Sequence, residues 1–244
     1  MSNIGNIIQT EKLSFSIGSK VILNDINIAV HQGSITGLLG PNGSGKTTLL
    51  KLLSGIIQSD STSIQIKPTI KQGFIFQMVE QNLIPWKNCI DNILIPFESL
   101  DGDKNDCKNK ADKLLHELGL EELKYRFPNE ISGGQKQLIS IIRWLVYPTD
   151  LLFIDEGWSM LDIVQKGKIR SLIKRINHEN KTTILLVSHS IEDLAMLCNT
   201  CFLLSNSPGK IVDKLELIGE FGANNELIWA KAKKIFPTTT KDSL

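Results

Sequence analysis

The spacing of apolar positions changes repeatedly along the chain, and each change predicts a different element. Residues 26–30 alternate apolar with polar or small side chains, the period of a half-buried strand, and 34–39 predicts a second strand. A glycine-rich stretch follows, then Leu49, Leu50, Leu52 and Leu53 form the broad apolar face of a helix that Gly55 can stop. Residues 73–77 suit a short strand, whereas 101–110 are polar, charged and poor in apolar residues, which reads as a surface loop. Leu114, Leu115 and Leu118 mark the helix that loop enters, closed by Gly119. A strongly apolar helix over 135–147 ends at Pro148. Residues 151–154 and Thr183–Val187 are continuous apolar runs, the pattern of parallel strands covered on both faces. Helical spacing fills 163–176 between them, and Ser190 with Asp193 has the spacing of a capping box. Strands alternating with helices predict a doubly wound α/β fold, with a mainly helical insertion between Gln77 and Gln135.

Composition narrows the class. The 244 residues are 41% hydrophobic and 22% charged, enough apolar material for a real core. Lys and Arg total 27 against 26 Asp and Glu, and a net charge of +1 gives no global attraction to nucleic acid, so no nucleic-acid partner is expected. No run approaches the ~20 apolar residues of a membrane-spanning helix. The first ten residues lack the basic and apolar regions of an export signal, so an intracellular chain is expected. Four cysteines are too few for a disulfide scaffold, and Cys198 and Cys201, spaced as CxxC, have no second pair to complete a zinc site.

The glycine-rich stretch carries the first chemistry. Gly40, Pro41, Asn42, Gly43, Ser44, Gly45, Lys46 and Thr47 match the phosphate-loop pattern G-x-x-x-x-G-K-[ST] without a gap. Glycines let successive backbone N–H groups turn toward one anion, and the following helix adds its positive N-terminal dipole. Lys46 can reach the β- and γ-phosphates of a nucleoside triphosphate, and the hydroxyl of Thr47 can ligate Mg²⁺. Thr48 continues the same turn and joins the candidate nucleotide-binding residues. An incidental glycine turn would not need to lie between a strand and a helix, and this one does. Asp155 follows an apolar strand at the end where open α/β sheets bind ligands, which suits it to hold Mg²⁺; Glu156 beside it suits the positioning or deprotonation of a water.

A second glycine pair precedes the helix over 135–147. Ser132 and Gln135 have capping-box spacing, so helix initiation explains those two residues, but it does not explain Gly133 and Gly134. Two glycines in a first helical turn cost about 2 kcal/mol relative to alanines, a cost that makes sense where the backbone must approach another molecule closely. The chain thus has two anion-binding helix starts but one lysine-bearing loop, which suggests two copies facing each other, each completing the other's site.

These motifs, in this order, resemble those of the ABC ATPases: the phosphate loop, then ISGGQ at 131–135, then Phe153, Ile154, Asp155 and Glu156. The resemblance covers residues 13–213. It implies a P-loop NTPase fold with an N-terminal antiparallel β region, a parallel RecA-like core and an inserted helical subdomain. It divides a single ATP-binding domain into a catalytic core at about 1–76 and 135–221, a helical subdomain at about 77–134 and a tail at about 222–244. By the same resemblance Gln77 contacts Mg²⁺ or the water, His189 contacts the γ-phosphate, and the 159–162 loop ending in Asp162 crosses a dimer interface. The implied activity is hydrolysis of ATP with Mg²⁺. The implied partners are transmembrane permease subunits, an extracytoplasmic solute-binding protein and a second copy of the chain on ATP binding. The implied place is the cytoplasmic face of the membrane, held there through the permease.

Single-domain members of this length usually drive importers, and the helical subdomain would receive a short helix of the permease. A non-transport ABC ATPase, acting in cluster assembly or on nucleic acid, is the alternative. Residues 81–86 and 91–93, with 203–211, resemble the importers of nitrate, sulfonate and taurine, although Pro208 and Gly209 also read as a plain turn. The chain departs from the family pattern at three places, of which Ile131 in place of the usual leucine is a mild change. Ile17 stands where an aromatic usually stacks on adenine, with Phe15 two residues away on the same strand face. Gly157 stands where proline is common, which loosens the turn after the acids. The amphipathic 226–236 segment, with Trp229 and three lysines, is expected to pack on its own domain and to fray after Pro237.

Overall fold

The computed structural model describes residues 5–58, 63–77, 82–99, 104–158 and 160–236. Of the positions singled out above, Met78–Gln81 at the start of the insertion, residues 101–103, Ser159 and the end of the tail from Pro237 lie outside the described residues.

The continuous apolar runs become the inner strands of a six-stranded sheet. Its order is β11 (Ile211–Glu216), β10 (Thr200–Leu204), β5 (Ile35–Leu39), β9 (Thr183–Val187), β8 (Leu151–Asp155), β7 (Gln72–Ile75). The five strands from β10 to β7 are parallel, and β11 pairs antiparallel at one edge. Strand period sends alternate residues to opposite faces. Leu38, Phe153, Leu185 and Val187 enter one buried cluster, and Leu39, Ile154, Leu186 and Leu152 the other. Both faces are therefore covered, which is why these strands show no polar alternation.

The first face meets α1 (Lys46–Leu53), which contributes Leu49, Leu50, Leu52 and Leu53, and the N-terminal β region. That region is antiparallel: β1 (Asn6–Thr10) lies between β4 (Ala29–His31) and β6 (Ile64–Ile66), and β2 (Leu13–Ile17) pairs with β3 (Lys20–Ile26). The second face meets α5 (Gly133–Val146), α6 (Ile163–Asn180) and α7 (Ile191–Leu197), and α8 (Phe221–Ile235) packs on α7. Between β7 and α5 run α2 (Cys89–Leu94), α3 (Pro96–Ser99), α4 (Lys104–Leu118) and, among the described residues, two short 3₁₀ turns.

Two expectations change. Residues 26–30 do not form one strand: β3 ends at Ile26 and β4 starts at Ala29, in different sheets. Side chains make the break. Thr10 donates its hydroxyl to Ile26 O at 2.9 Å and accepts from Ile28 N at 3.0 Å, while Asn27 accepts from Lys12 N at 2.8 Å. The 101–110 segment is helical from Lys104, because Cys107 and Ala111 bury one narrow stripe while residues 105, 106 and 108–110 stay exposed. An i,i+4 pair of Asp106 with Lys110 at 2.7 Å supports that first turn.

Candidate active site

Four neighbouring parallel strands deliver the predicted residues to one edge of the sheet. In spatial order, β5 leads into the phosphate loop, β9 into His189, β8 into Asp155 and Glu156, and β7 toward Gln77. This is the carboxyl end of the strands, where open α/β folds form their crevice.

The loop from Gly40 to Thr47 turns through Gly43 at φ 77° and Gly45 at φ 93°, values that L side chains rarely adopt. Gly40 has a second constraint, since a Cβ there would lie 2.7 Å from Leu204 O. Lys46 opens α1, and its Nζ donates to Gly40 O at 2.7 Å and Pro41 O at 2.9 Å. The ammonium therefore sits inside the loop whose N–H groups face an anion. Burial lowers its pKa to about 8, opposed by the charges of Glu156 and Asp155. The hydroxyl of Ser44, buried in the same loop, has no hydrogen-bond partner among the described residues.

Thr47 Oγ1 donates to Asp155 Oδ1 at 3.0 Å, so the two oxygens expected at Mg²⁺ are already adjacent. Burial raises the Asp155 pKa, and the Thr47 hydrogen bond opposes that rise. Hard oxygen donors fit Mg²⁺, which keeps several waters and uses one or two protein oxygens beside substrate phosphates. Among the described residues no group of three His, Cys, Asp or Glu is placed to hold a metal ion.

Glu156 adopts φ 49°, uncommon for a side-chain-bearing residue, and its N–H donates to Val187 O at 3.0 Å. That turn aims its carboxylate across the strand ends. Gln77 Nε2 donates to Glu156 Oε2 at 2.7 Å, and His189 Nε2 meets Oε1. Gly157 does not loosen the turn. A Cβ at this position would come within 2.8 Å of Ile75 Cγ2 and 2.9 Å of Ile154 Cγ2, so the backbone is packed tightly against two strands.

Ser132, Gly133, Gly134, Gln135 and Asp162 form a separate group. Ser132 caps α5 and exchanges both capping-box hydrogen bonds with Gln135. Gly133 and Gly134 face Met160 and Leu161, and Met160 N donates to Gln137 Oε1 at 3.0 Å. Asp162 caps α6 through Gln165 N at 2.8 Å. Among the described residues no hydrogen bond or ion pair joins this group to the phosphate loop.

Several participants escaped sequence reasoning. Gly209 belongs to more than a plain turn: its N–H donates to Ile22 O at 2.8 Å, its carbonyl accepts from Asn24 N at 2.9 Å, and a Cβ would fall 2.1 Å from Ser44 O. It thus braces the phosphate loop from behind, a long-range contact no local spacing encodes. Ser190 and Asp193 complete only half of the expected capping box. Ser190 Oγ accepts from Asp193 N at 3.2 Å, but the Asp193 carboxylate turns inward. Phe15 is half-buried against the core and Ile17 is 60% exposed; register shifts on either side of Phe15 break the strand alternation that would have set them on one face. Cys198 and Cys201 are free, buried thiols, and burial pushes Cys201 up to about 12 and Cys198 well above its ordinary value, so neither is a reactive thiolate.

Comparison with known proteins adds to this geometry. A family model described as ABC transporter matches residues 23–159. The taurine import ATP-binding protein TauB of Escherichia coli (strain K12) is 32% identical over 217 residues, which cover 86% of this chain and 84% of that protein. TauB of Shigella flexneri is 31% identical over the same shares. The dimeric structure of MJ0796, a bacterial ABC transporter cassette, superposes with a TM-score of 0.76 at 25% identity, over 87% of this chain and 99% of its own. In fold the chain is also like cbiO1 of Clostridium perfringens, part of the ABC transporter complex cbiONQ, with a TM-score of 0.74, 23% identity and 96% of each chain covered.

Proposed function

The chain belongs to the ABC transporter family, and from that premise we propose that it is the ATP-hydrolysing subunit of a membrane importer for a small anionic or heterocyclic solute. The observation that carries the catalytic reading is the Glu156 carboxylate, held by both Gln77 and His189 beside the phosphate loop. An ionised carboxylate keeps further acceptor capacity while bound this way, so it can also accept a hydrogen bond from water.

In the proposed reaction the loop N–H groups of residues 40–48 and Lys46 bind the phosphates of ATP. Lys46 leaves its carbonyl partners for the β- and γ-phosphates, where its charge offsets the charge that develops during phosphoryl transfer. Thr47 and Asp155, with Gln77 nearby, would hold a Mg²⁺ that supplies further neutralisation of the phosphates. Glu156 takes a proton from the attacking water at a carboxylate oxygen, the water oxygen bonds to the γ-phosphorus, and the bond to the ADP oxygen breaks. Gln77 and His189 orient that carboxylate and the water.

Ser132, Gly133, Gly134, Gln135 and Asp162 belong, in this reading, to the site of a second copy. The dimeric likeness of MJ0796 supports that assignment. Residues 77–134 act as the helical subdomain, and closure of the two copies around ATP passes to transmembrane permease subunits. A solute-binding protein outside the membrane completes the system. Among the described residues no helix is long and apolar enough to cross a membrane, which agrees with attachment to the cytoplasmic face through the permease.

The test is steady-state hydrolysis of ATP by the purified chain and its Glu156→Gln variant, with sizing chromatography in Mg-ATP. Loss of turnover with retained nucleotide and a stable dimer is the expected result. A variant that hydrolyses ATP like its parent would overturn the reading.

A further inference from the structure

The missing half of the capping box at α7 points to a residue pair outside the named motifs. In a complete box the third helical residue returns its side chain to the N–H of the cap. Here Ser190 N is satisfied by Ser188 Oγ at 3.0 Å instead, and the Asp193 carboxylate, 3% exposed, is turned into the interior. Its Oδ2 accepts from the indole N–H of Trp158 at 2.8 Å and from Ser188 Oγ at 3.1 Å. Its Oδ1 accepts from Arg170 Nε at 2.6 Å, and Arg170 Nη2 also pairs with that oxygen. The buried charge is thus paired and fully hydrogen-bonded, which is the condition for tolerating it.

Two partners of that carboxylate, Ser188 and Trp158, lie at working parts of the site. Ser188 immediately precedes His189. Trp158 is two residues beyond Glu156, and its carbonyl accepts from Leu161 N at 3.2 Å in the turn that packs on Gly133 and Gly134. Glu156, Trp158, Ser188, His189 and Asp193 also line one small cavity of about 210 Å³, together with Lys166. A buried ring at position 158 could serve packing alone, and Trp158 does belong to the core cluster. Packing does not require its N–H to share one carboxylate oxygen with Ser188. A buried indole N–H needs a partner, and this partner also fixes the residue before His189.

We propose that Trp158 is a positioning residue for ATP hydrolysis, which acts through the shared Asp193 carboxylate and Ser188 to hold His189 against Glu156. The device ties the turn next to Ser132–Gln135 to the histidine, so movement of either loop is felt by the other. This inference rests on the reading of Glu156 and His189 given above.

The experiment compares the full chain with Trp158→Phe, which keeps an aromatic ring and removes only the donor, and with Ser188→Ala as an independent cut of the same link. Steady-state kinetics with Mg-ATP should show kcat lowered about ten-fold in each, the loss expected for one hydrogen bond to a carboxylate. KM should stay within about two-fold, because the nucleotide contacts are untouched. In a His189→Ala background, Trp158→Phe should add less than about two-fold, since both changes then act on one group. A Trp158→Phe chain with unchanged kcat beside an impaired His189→Ala chain would sink this inference alone, and so would losses that multiply in the double variant. A His189→Ala chain as active as the parent would overturn the reading of the site and this inference with it.

Discussion

Gln77 donates its side-chain amide to Glu156 Oε2 at 2.7 Å, across the ends of the adjacent strands β7 and β8. The residue that leads into the inserted helices is thereby bonded to the carboxylate proposed as the base. Glu156→Gln keeps the shape and replaces one carboxylate oxygen with an amide, so binding should survive while proton acceptance is lost. Turnover is expected to fall at least about 100-fold, at the low end of general-base contributions. Nucleotide affinity, read by equilibrium binding, should change less than about three-fold, because the loop contacts supply uniform binding. Comparable losses in both quantities would mean that Glu156 holds the nucleotide rather than the water.

Lys46 is a buried cation before any phosphate is considered, and that has a pH signature. Its pKa falls from the ordinary 10.5 to about 8, chiefly by burial. A lysine with a lowered folded pKa costs stability fully below about pH 8, and the cost is relieved as pH rises toward 10.5. Lys46→Met removes this dependence along with the charge. Thermal melts from pH 7.5 to 9.5 should show the parent gaining stability relative to Lys46→Met, while the variant loses hydrolysis at every pH. Parallel melting curves across that range would show that the ammonium is better solvated than its surroundings imply.

Gly209 supports the phosphate loop by leaving room for it. A methyl group there would sit 2.1 Å from Ser44 O, a backbone atom rather than the free end of a side chain. Gly209 is also hydrogen-bonded on both sides to β3, at Ile22 and Asn24. Gly209→Ala should therefore push the loop rather than escape outward. The expected result is a KM for ATP raised about ten-fold, roughly 1.4 kcal/mol of binding, and a lowered melting temperature. An unchanged KM would mean the turn moves away and the loop keeps its shape.

These examples mark where sequence legibility stops. The loop at residues 40–47 was readable because a phosphate cradle needs glycines and a lysine at fixed local spacing. The strands β8 and β9 were readable because burial on both faces removes polar alternation. The split of residues 26–30 was hidden in the side chains of Thr10 and Asn27, which take over backbone hydrogen bonds from a distance. The start of α4 was hidden because a stripe as narrow as Cys107 and Ala111 leaves little periodic signal. Asp193 has the spacing of a cap, and only the packing of Trp158 and Ser188 turns its carboxylate elsewhere. Gly209 and Ser44 are far apart in sequence, so their contact follows from topology rather than pattern.

Trp86 is 77% exposed, yet the turn that carries it is held rigidly. Asn92, fully buried, accepts from Ile84 N at 2.7 Å and donates to Ile84 O, Lys87 O and Asn88 O. Arg143 of α5 adds Nη1 to Asn82 O and Nε to Asn92 O, both at 2.8 Å, and burial lowers its pKa to about 10. An aromatic ring left in water on so firmly fastened a turn suits a partner surface, where tryptophan is a frequent anchor. Trp86→Ala should leave the isolated chain's stability within about 0.5 kcal/mol and its ATP hydrolysis unchanged, as for other exposed positions. Recovery of the chain with its co-expressed permease should drop, corresponding to at least about 2 kcal/mol of lost association. Equal recovery of parent and variant would show that the permease docks elsewhere, and that the staple of Asn92 and Arg143 serves the stability of the helical region rather than its coupling to the membrane.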